Sequence, residues 1–296
     1  MRVFVTGASG WIGSAAVGEL IAAGHEVTGL ARSDTSAAAL VAAGATPHPG
    51  SLDDLDSLRS GAEAADGVVH LAFNHDFSDY VGAGRTERAA VTALGDVLAE
   101  SDRPLLLAAG VAGLSTGVAT EQDEPAFRGP DAPRGGSEGL ALDYAERGVR
   151  SISVRFAPTV HGEGDHGFIS AIVAAARRTG VAGYVGDGAN RWSAVARADA
   201  GRVVRLALEQ APAGTVVHAV GEEGIATRDI AAEIGRGLGL PTASIEPDAA
   251  VEHFGWIGRF FGMNAAASSA ATQARLGWTP TGPGLLADLE AGYYYR

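Results

Sequence analysis

The stretch Met1-Arg-Val-Phe-Val-Thr6-Gly-Ala-Ser-Gly-Trp-Ile-Gly13 decides the fold. A β-branched, apolar run, Arg2–Thr6, reads as a strand and leads through Gly7 and Gly10 into an apolar helical segment over Ile12–Ala23. Gly7 permits the tight turn, Gly10 lets the backbone approach a pyrophosphate, and Gly13 lets the helix close on the strand. The helix start adds free N–H groups and the positive end of its dipole. Gly7, Ser9, Gly10, Trp11, Ile12 and Gly13 are therefore the expected phosphate cradle of a dinucleotide.

Working outward, strands are expected at Glu26–Leu30, Ala45–Pro49, Gly67–Ala72, Pro104–Ala109 and Ser151–Phe156. Between them lie helical segments near Thr35–Ala43, Leu55–Gly61, Arg85–Glu100 and Ser137–Arg147. Strands alternating with helices, several of them apolar throughout, predict an α/β fold with a doubly wound parallel sheet, Rossmann-like, covered on both faces. Past about residue 157 the rhythm loosens. Helices near Phe168–Arg178, Asp199–Glu209 and Thr227–Leu238 and a strand near Thr215–Val220 suggest a smaller C-terminal substrate lobe. We place the nucleotide-binding part mainly in 1–160 and the lobe mainly in 161–296, with some elements returning to the sheet.

Composition narrows the chemistry. The 296 residues include no Cys, which removes disulfides, thiolate nucleophiles and Cys-based metal sites. Lys plus Arg is 22, Asp plus Glu is 35, and the net charge is −13. Such a surface repels polyphosphates and anionic membranes, so neither nucleic acid nor membrane is an expected partner. All 22 cations are Arg, which rules out a Schiff-base lysine. No apolar run reaches the ~18 residues of a membrane span, and no signal-peptide pattern opens the chain, so a cytoplasmic location is expected.

The second strand should end at Leu30-Ala-Arg32-Ser33-Asp34, where a dinucleotide site reads the ribose. Arg32 would pair with a 2′-phosphate, with Ser33 beside it and Asp34 capping the next helix. NADP(H) is therefore the expected cofactor, with NAD(H) the alternative. After the third strand, Leu52 and Asp53 face the adenine region. Asp53 either accepts from the adenine amino group or caps the helix at Leu55. The strand end Leu71-Ala72-Phe73 should pass beneath the cofactor.

These motifs resemble the extended or atypical branch of the short-chain dehydrogenase/reductase superfamily, the NAD-dependent epimerase/dehydratase-like proteins. The resemblance spans nearly the whole chain: Thr6–Gly13, His70-Leu-Ala, Arg155-Phe-Ala-Pro158-Thr-Val-His161-Gly, Gly186-Asp-Gly and Leu276-Gly-Trp-Thr-Pro. It implies cofactor contacts from Ala108, Ala109, Pro158 and Val160, and a lobe that closes over the nicotinamide. It also implies a Ser or Thr on the fifth strand and a Tyr-x-x-x-Lys on the next helix. Here that strand ends Leu107-Ala-Ala109, and Arg134 and Glu138 stand where Tyr and Lys would fall.

With the usual acid missing, His75 and His161 are the candidate proton donors, since imidazole titrates near neutral pH. Asn74, Val111, Arg134, His166, Trp192, Phe254 and Trp256 are the candidate substrate contacts. Arg134 and Glu138, four apart, read either as an exposed ion pair or as a substrate-anchoring Arg. The Gly-rich stretch His161–His166 makes a poor metal site, and no metal is expected. The expected activity is reduction of a small, rather apolar carbonyl, imine or enone by NADPH. An epimerase or dehydratase that retains its cofactor, and a catalytically silent NADP-binding protein, remain alternatives. The resemblance also implies a homodimer through 85–100 and 137–147, with Leu94, Val97, Leu98, Leu140 and Leu142 available for burial, or a monomer as in atypical members.

Overall fold

The computed structural model describes residues 1–74 and 79–296. Its centre is a parallel sheet. Strand β1 (Arg2–Thr6) is buried from Val3 onward, as expected of an apolar strand covered on both faces. It pairs with β2 (Glu26–Ala31), which pairs with β3 (Thr46–Pro49). On the other side β1 pairs with β4 (Gly67–His70), and β4 with β5 (Pro104–Gly110). A two-residue strand, β6 (Val118–Ala119), leaves the sheet, which β7 (Arg150–Phe156) continues beside β5.

The helices flanking this half are α1 (Trp11–Ala22), α2 (Asp34–Ala42), α3 (Leu55–Glu63), α4 (Tyr80–Leu98) and α5 (Ser137–Asp143). Most expected boundaries hold to within two residues. The exceptions have local causes. Helix α4 starts five residues before the expected Arg85, because Asp79 caps it by accepting from Gly82 N at 2.9 Å. The expected helix over 137–147 ends at Asp143 and continues as a tighter 3₁₀ turn, Tyr144–Arg147, closed by left-handed Gly148. Ser33, rather than Asp34, caps α2, and its hydroxyl accepts from Ser36 N at 3.2 Å.

The second half supplies β8 (Thr159–His161), α6 (Phe168–Thr179), β9 (Ala182–Val185), β10 (Arg191–Ala196), α7 (Arg197–Gln210), β11 (Thr215–Ala219), β12 (Glu222–Ala226), α8 (Thr227–Leu238), β13 (Thr242–Ile245) and β14 (Ala266–Ala267). Strand β11 returns to the large sheet beside β7, giving the seven-stranded order β11-β7-β5-β4-β1-β2-β3, and α7 packs across α1. Helices α1 and α7 cover one face around Val17, Leu20, Val203 and Val204. Helices α3 and α4 cover the other around Leu58, Leu94 and Leu98.

The lobe has its own core of Ile169, Ile172, Trp192, Ile230, Ile234, Phe254 and Phe261. It is built on the three-stranded sheet β12-β10-β8 and the parallel pair β13-β9. Strand order reverses between β1 and β4, so a crevice opens beyond their carboxyl ends, which is where this kind of sheet binds ligands.

Candidate active site

The turn after β1 shows why its glycines are needed. Gly7 has φ +68°, and a Cβ there would lie 2.7 Å from the Ala72 nitrogen at the end of β4. A Cβ on Gly13 would lie 2.0 Å from the Gly7 carbonyl oxygen, so the start of α1 can close on the turn only without a side chain. Gly10 is looser, with a Cβ contact of 3.1 Å, and it heads α1 with no capping side chain. Ser9 and Gly10 are exposed, Trp11 and Ile12 half-buried. This is a cradle of backbone N–H groups with room for an anion, and it suits a pyrophosphate.

Along the rim, Arg32 is exposed at the tip of β2, with no ion-pair partner among the described residues. Ser33, expected at the cofactor, has its hydroxyl engaged as the α2 cap. Leu52 is half-buried against the α3–α4 core. Asp54, not Asp53, caps α3, accepting from Ser57 N at 3.2 Å. Asp53 is exposed and accepts from the Thr86 hydroxyl at 3.2 Å.

Beneath the crevice, Thr6 Oγ1 and His70 Nδ1 are 2.8 Å apart, and Ala72 N donates to the same hydroxyl at 3.3 Å. His70 is fully buried, and its pKa is pushed down to about 3 by burial first and by the nearby Arg134 charge second. It is a neutral spacer at working pH. Leu71, Ala72 and Phe73 are half-buried, and Asn74 is exposed. His75 lies outside the described residues.

Arg134 is not in the ion pair that its spacing from Glu138 suggested. It precedes α5 rather than sitting on it, so no i,i+4 pair with Glu138 forms. Its guanidinium instead pairs with Glu87 of α4 through Nε at 3.0 Å and through Nη2. It also reaches the Ala108 carbonyl at 3.2 Å and covers the Phe73 ring at 4.5 Å. Glu138 turns to Arg155 on β7, at 2.6 Å. Sequence reasoning missed Glu87, because a partner 47 positions away leaves no spacing signal.

Beyond β7, the Trp11 indole donates to the Val160 carbonyl at 2.7 Å, and Pro158 lines a small cleft with Phe168 and Trp192. His166 meets the Trp11 indole edge-on at 5.7 Å, and Arg197 covers it at 4.3 Å. His161 is 1% exposed, with Nδ1 2.6 Å from Asp288, so it is held inside the fold and offers substrate no open face. Three residues expected at the substrate are almost fully buried. Val111 and Phe254 are 2% and 3% exposed, because their apolar side chains complete the two cores. Trp192 is 1% exposed and donates to the Met263 carbonyl, although its ring edge reaches a cleft. That cleft, of about 10 Å³, is lined by Ala112, Pro158, Phe168, Trp192, Phe260 and Met263. Trp256, 43% exposed, meets Phe168 edge-on at 5.5 Å. A larger groove of about 450 Å³ opens at the opposite edge, beside Arg2, Glu26 and Thr46 at the amino ends of the strands.

The family model described as NAD dependent epimerase/dehydratase matches residues 3–133, which include the glycine turn, β4 and β5. The chain belongs to the NAD dependent epimerase/dehydratase family. An uncharacterized protein of Schizosaccharomyces pombe is 44% identical over 295 residues, covering 100% of each chain. Another, of Saccharomyces cerevisiae, is 41% identical over 295 residues and covers 99% of each. Among solved structures, the dTDP-glucose 4,6-dehydratase of Streptomyces venezuelae with NAD bound has a TM-score of 0.77 at 20% identity. It covers 100% of this chain and 97% of its own, and its likeness is one of fold. Membership of this epimerase/dehydratase family agrees with the cradle: Gly7 and Gly13 leave no room for side chains where the end of β4 and the start of α1 close on the turn.

Proposed function

We propose that the protein is an NADPH-dependent reductase of a small, rather apolar carbonyl, imine or enone, with a proton source other than the usual Tyr and Lys. The observation that carries this reading is the aromatic cleft of Phe168, Trp192, Trp256 and Phe260 beside the carboxyl ends of β5 and β7. Apolar walls recognise a flat hydrophobic substrate by burial, at roughly 25 cal/mol per Å². A glycosyl diphosphate would bring charge with nothing on those walls to receive it.

The chain's own residues divide the work. Gly7–Gly13 and the start of α1 hold the pyrophosphate, and Arg32 pairs with the 2′-phosphate of NADP(H). Leu71–Phe73 and Ala108 form the floor, while Pro158 and Val160 place backbone groups near the carboxamide. A reduced nicotinamide, when bound, supplies the hydride. The cleft's aromatic side chains exclude water and orient the substrate, and Phe260 or Met263 must shift to admit one, given the small volume between them.

The family description favours a second reading, an epimerase or dehydratase that keeps its cofactor through the cycle. Calorimetric titration with NADPH and NADH, followed by absorbance assays on ketones, enones and cyclic imines, separates the two. Tight NADPH binding with oxidation supports the reductase. Nicotinamide that copurifies, with no net consumption, supports the epimerase or dehydratase. Binding of neither cofactor would sink both readings.

A further inference from the structure

We propose that Arg134, clamped by Glu87, is the group that receives the reacting oxygen of the substrate. The inference rests on the reductase reading above and supplies what that reading leaves open, an electrophile in place of tyrosine.

Four observations converge on this side chain. Arg134 sits at φ +54°, ψ 27°, followed by Gly135 and Gly136 at φ +61° and +59°. Left-handed backbone costs a residue with a Cβ roughly 1 kcal/mol, and such strain collects where geometry serves function. Second, close packing enforces the turn: a Cβ on Gly135 would lie 2.4 Å from the Gly84 carbonyl of α4. Third, Glu87 is 1% exposed and holds the guanidinium from below, while the Ala108 carbonyl and the Phe73 ring fix two more directions. Fourth, these contacts use Nε and Nη2 and leave Nη1 with no partner among the described residues, on a side chain 31% exposed.

A salt bridge built only for stability would gain little from this arrangement, because burying the carboxylate offsets most of the attraction. Burial pushes the Glu87 carboxyl up, and Arg134 pulls it back toward the ionised form. His70 on β4 carries no charge and is fully buried, with Nδ1 against the Thr6 hydroxyl at 2.8 Å, so it presents no exposed N–H beside Arg134. Arg134 therefore presents a fixed N–H at the carboxyl edge of β4 and β5, where negative charge would develop.

The step balances as follows. The carbonyl carbon accepts a hydride from reduced NADPH, and the C=O π pair moves onto oxygen. Nη1–H of Arg134 stabilises that oxygen until water protonates it. The substrate is reduced to the alcohol and NADPH is oxidised to NADP⁺. Arg134 acts as the catalytic residue and Glu87 as a positioning residue.

Benzoate, a flat carboxylate, is the probe, titrated calorimetrically into protein loaded with NADP⁺. Wild type should bind it, and Arg134→Gln should bind it at least tenfold more weakly, with NADPH affinity within twofold of wild type. Glu87→Gln keeps the guanidinium but loosens it, so kcat on a ketone should fall more than KM rises. If Arg134→Gln fails to fold with Glu87 left unpaired, the double variant Glu87→Gln/Arg134→Gln removes both charges and should show the same loss. Benzoate binding that is absent in wild type, or equal in wild type and the Arg134 variants, would overturn the proposal while leaving the reductase reading intact. Failure of wild type to bind NADPH would overturn both.

Discussion

At the scale of single residues, the glycine turn separates two kinds of requirement. Gly13 faces a carbonyl oxygen 2.0 Å from where a Cβ would sit, whereas Gly10 faces one at 3.1 Å. Gly13→Ala should therefore destabilise the protein by about 3 kcal/mol or more, as overpacking against rigid backbone does. Gly10→Ala should cost stability only about 1 kcal/mol but weaken NADPH binding, because its methyl group would occupy the face that a pyrophosphate needs. Urea unfolding and calorimetry of both variants check this, and equal destabilisation would count against the distinction. Arg32 makes a complementary case on the opposite rim. If it reads the 2′-phosphate, Arg32→Asp should weaken NADPH about tenfold or more and leave NADH within a few fold, since a charge-assisted pair is worth about 1.5–3 kcal/mol. Equal weakening of the two cofactors would assign Arg32 a general electrostatic role instead.

At the scale of elements, His70 ties β4 to β1 through Thr6, and its burial makes that tie pH-sensitive. The folded-state pKa is lowered to about 3 from 6.5. Between those values the unfolded chain binds a proton that the native state refuses, so stability falls as pH drops through that window, by about 1.4 kcal/mol per unit. His70→Asn keeps a side-chain partner for Thr6 but cannot titrate there. Its loss of Tm between pH 7 and pH 5 should be visibly smaller than that of wild type, and parallel losses would refute the assignment. The same elements show what a sequence can convey. Strands β1, β4 and β5 were readable because each carries an unbroken apolar run, Val3–Val5, Val68–Val69 and Leu105–Ala109, bounded by turn residues. Strands β8, β10 and β12 were not, since Glu222-Glu-Gly-Ile-Ala shows no alternation and their pairing is fixed only in three dimensions. The dinucleotide cradle followed from local spacing. Arg134 was identified, but its partner was not, because its apparent four-residue spacing from Glu138 holds only if both lie on one helix, and α5 begins at Ser137.

At the scale of the molecule, the face expected to form a homodimer keeps Val97, Leu140 and Leu142 half-buried, while its two other leucines lie inside the fold. Leu94 and Leu98 are fully buried against the sheet within one protomer, which leaves them no apolar surface to share. Segment 121–132 lies across α5: a Cβ on Gly136 would lie 2.6 Å from Gly129, and one on Gly139 would lie 3.1 Å from the Arg128 guanidinium. Arg128 also pairs with Asp143 at 3.2 Å, and Arg147 with Asp96 of α4 at 2.6 Å. Docking a second copy here would strip water from both pairs, a cost that a stable interface offsets with a large apolar core. The chain should therefore run in solution at the 29.9 kDa of a single copy. Light scattering across a dilution series reads this directly. A mass of two chains that Asp96→Ala and Arg128→Ala leave unchanged would mean that the copies meet through another surface. A dimer that those substitutions dissociate would mean that the charged face itself is the contact.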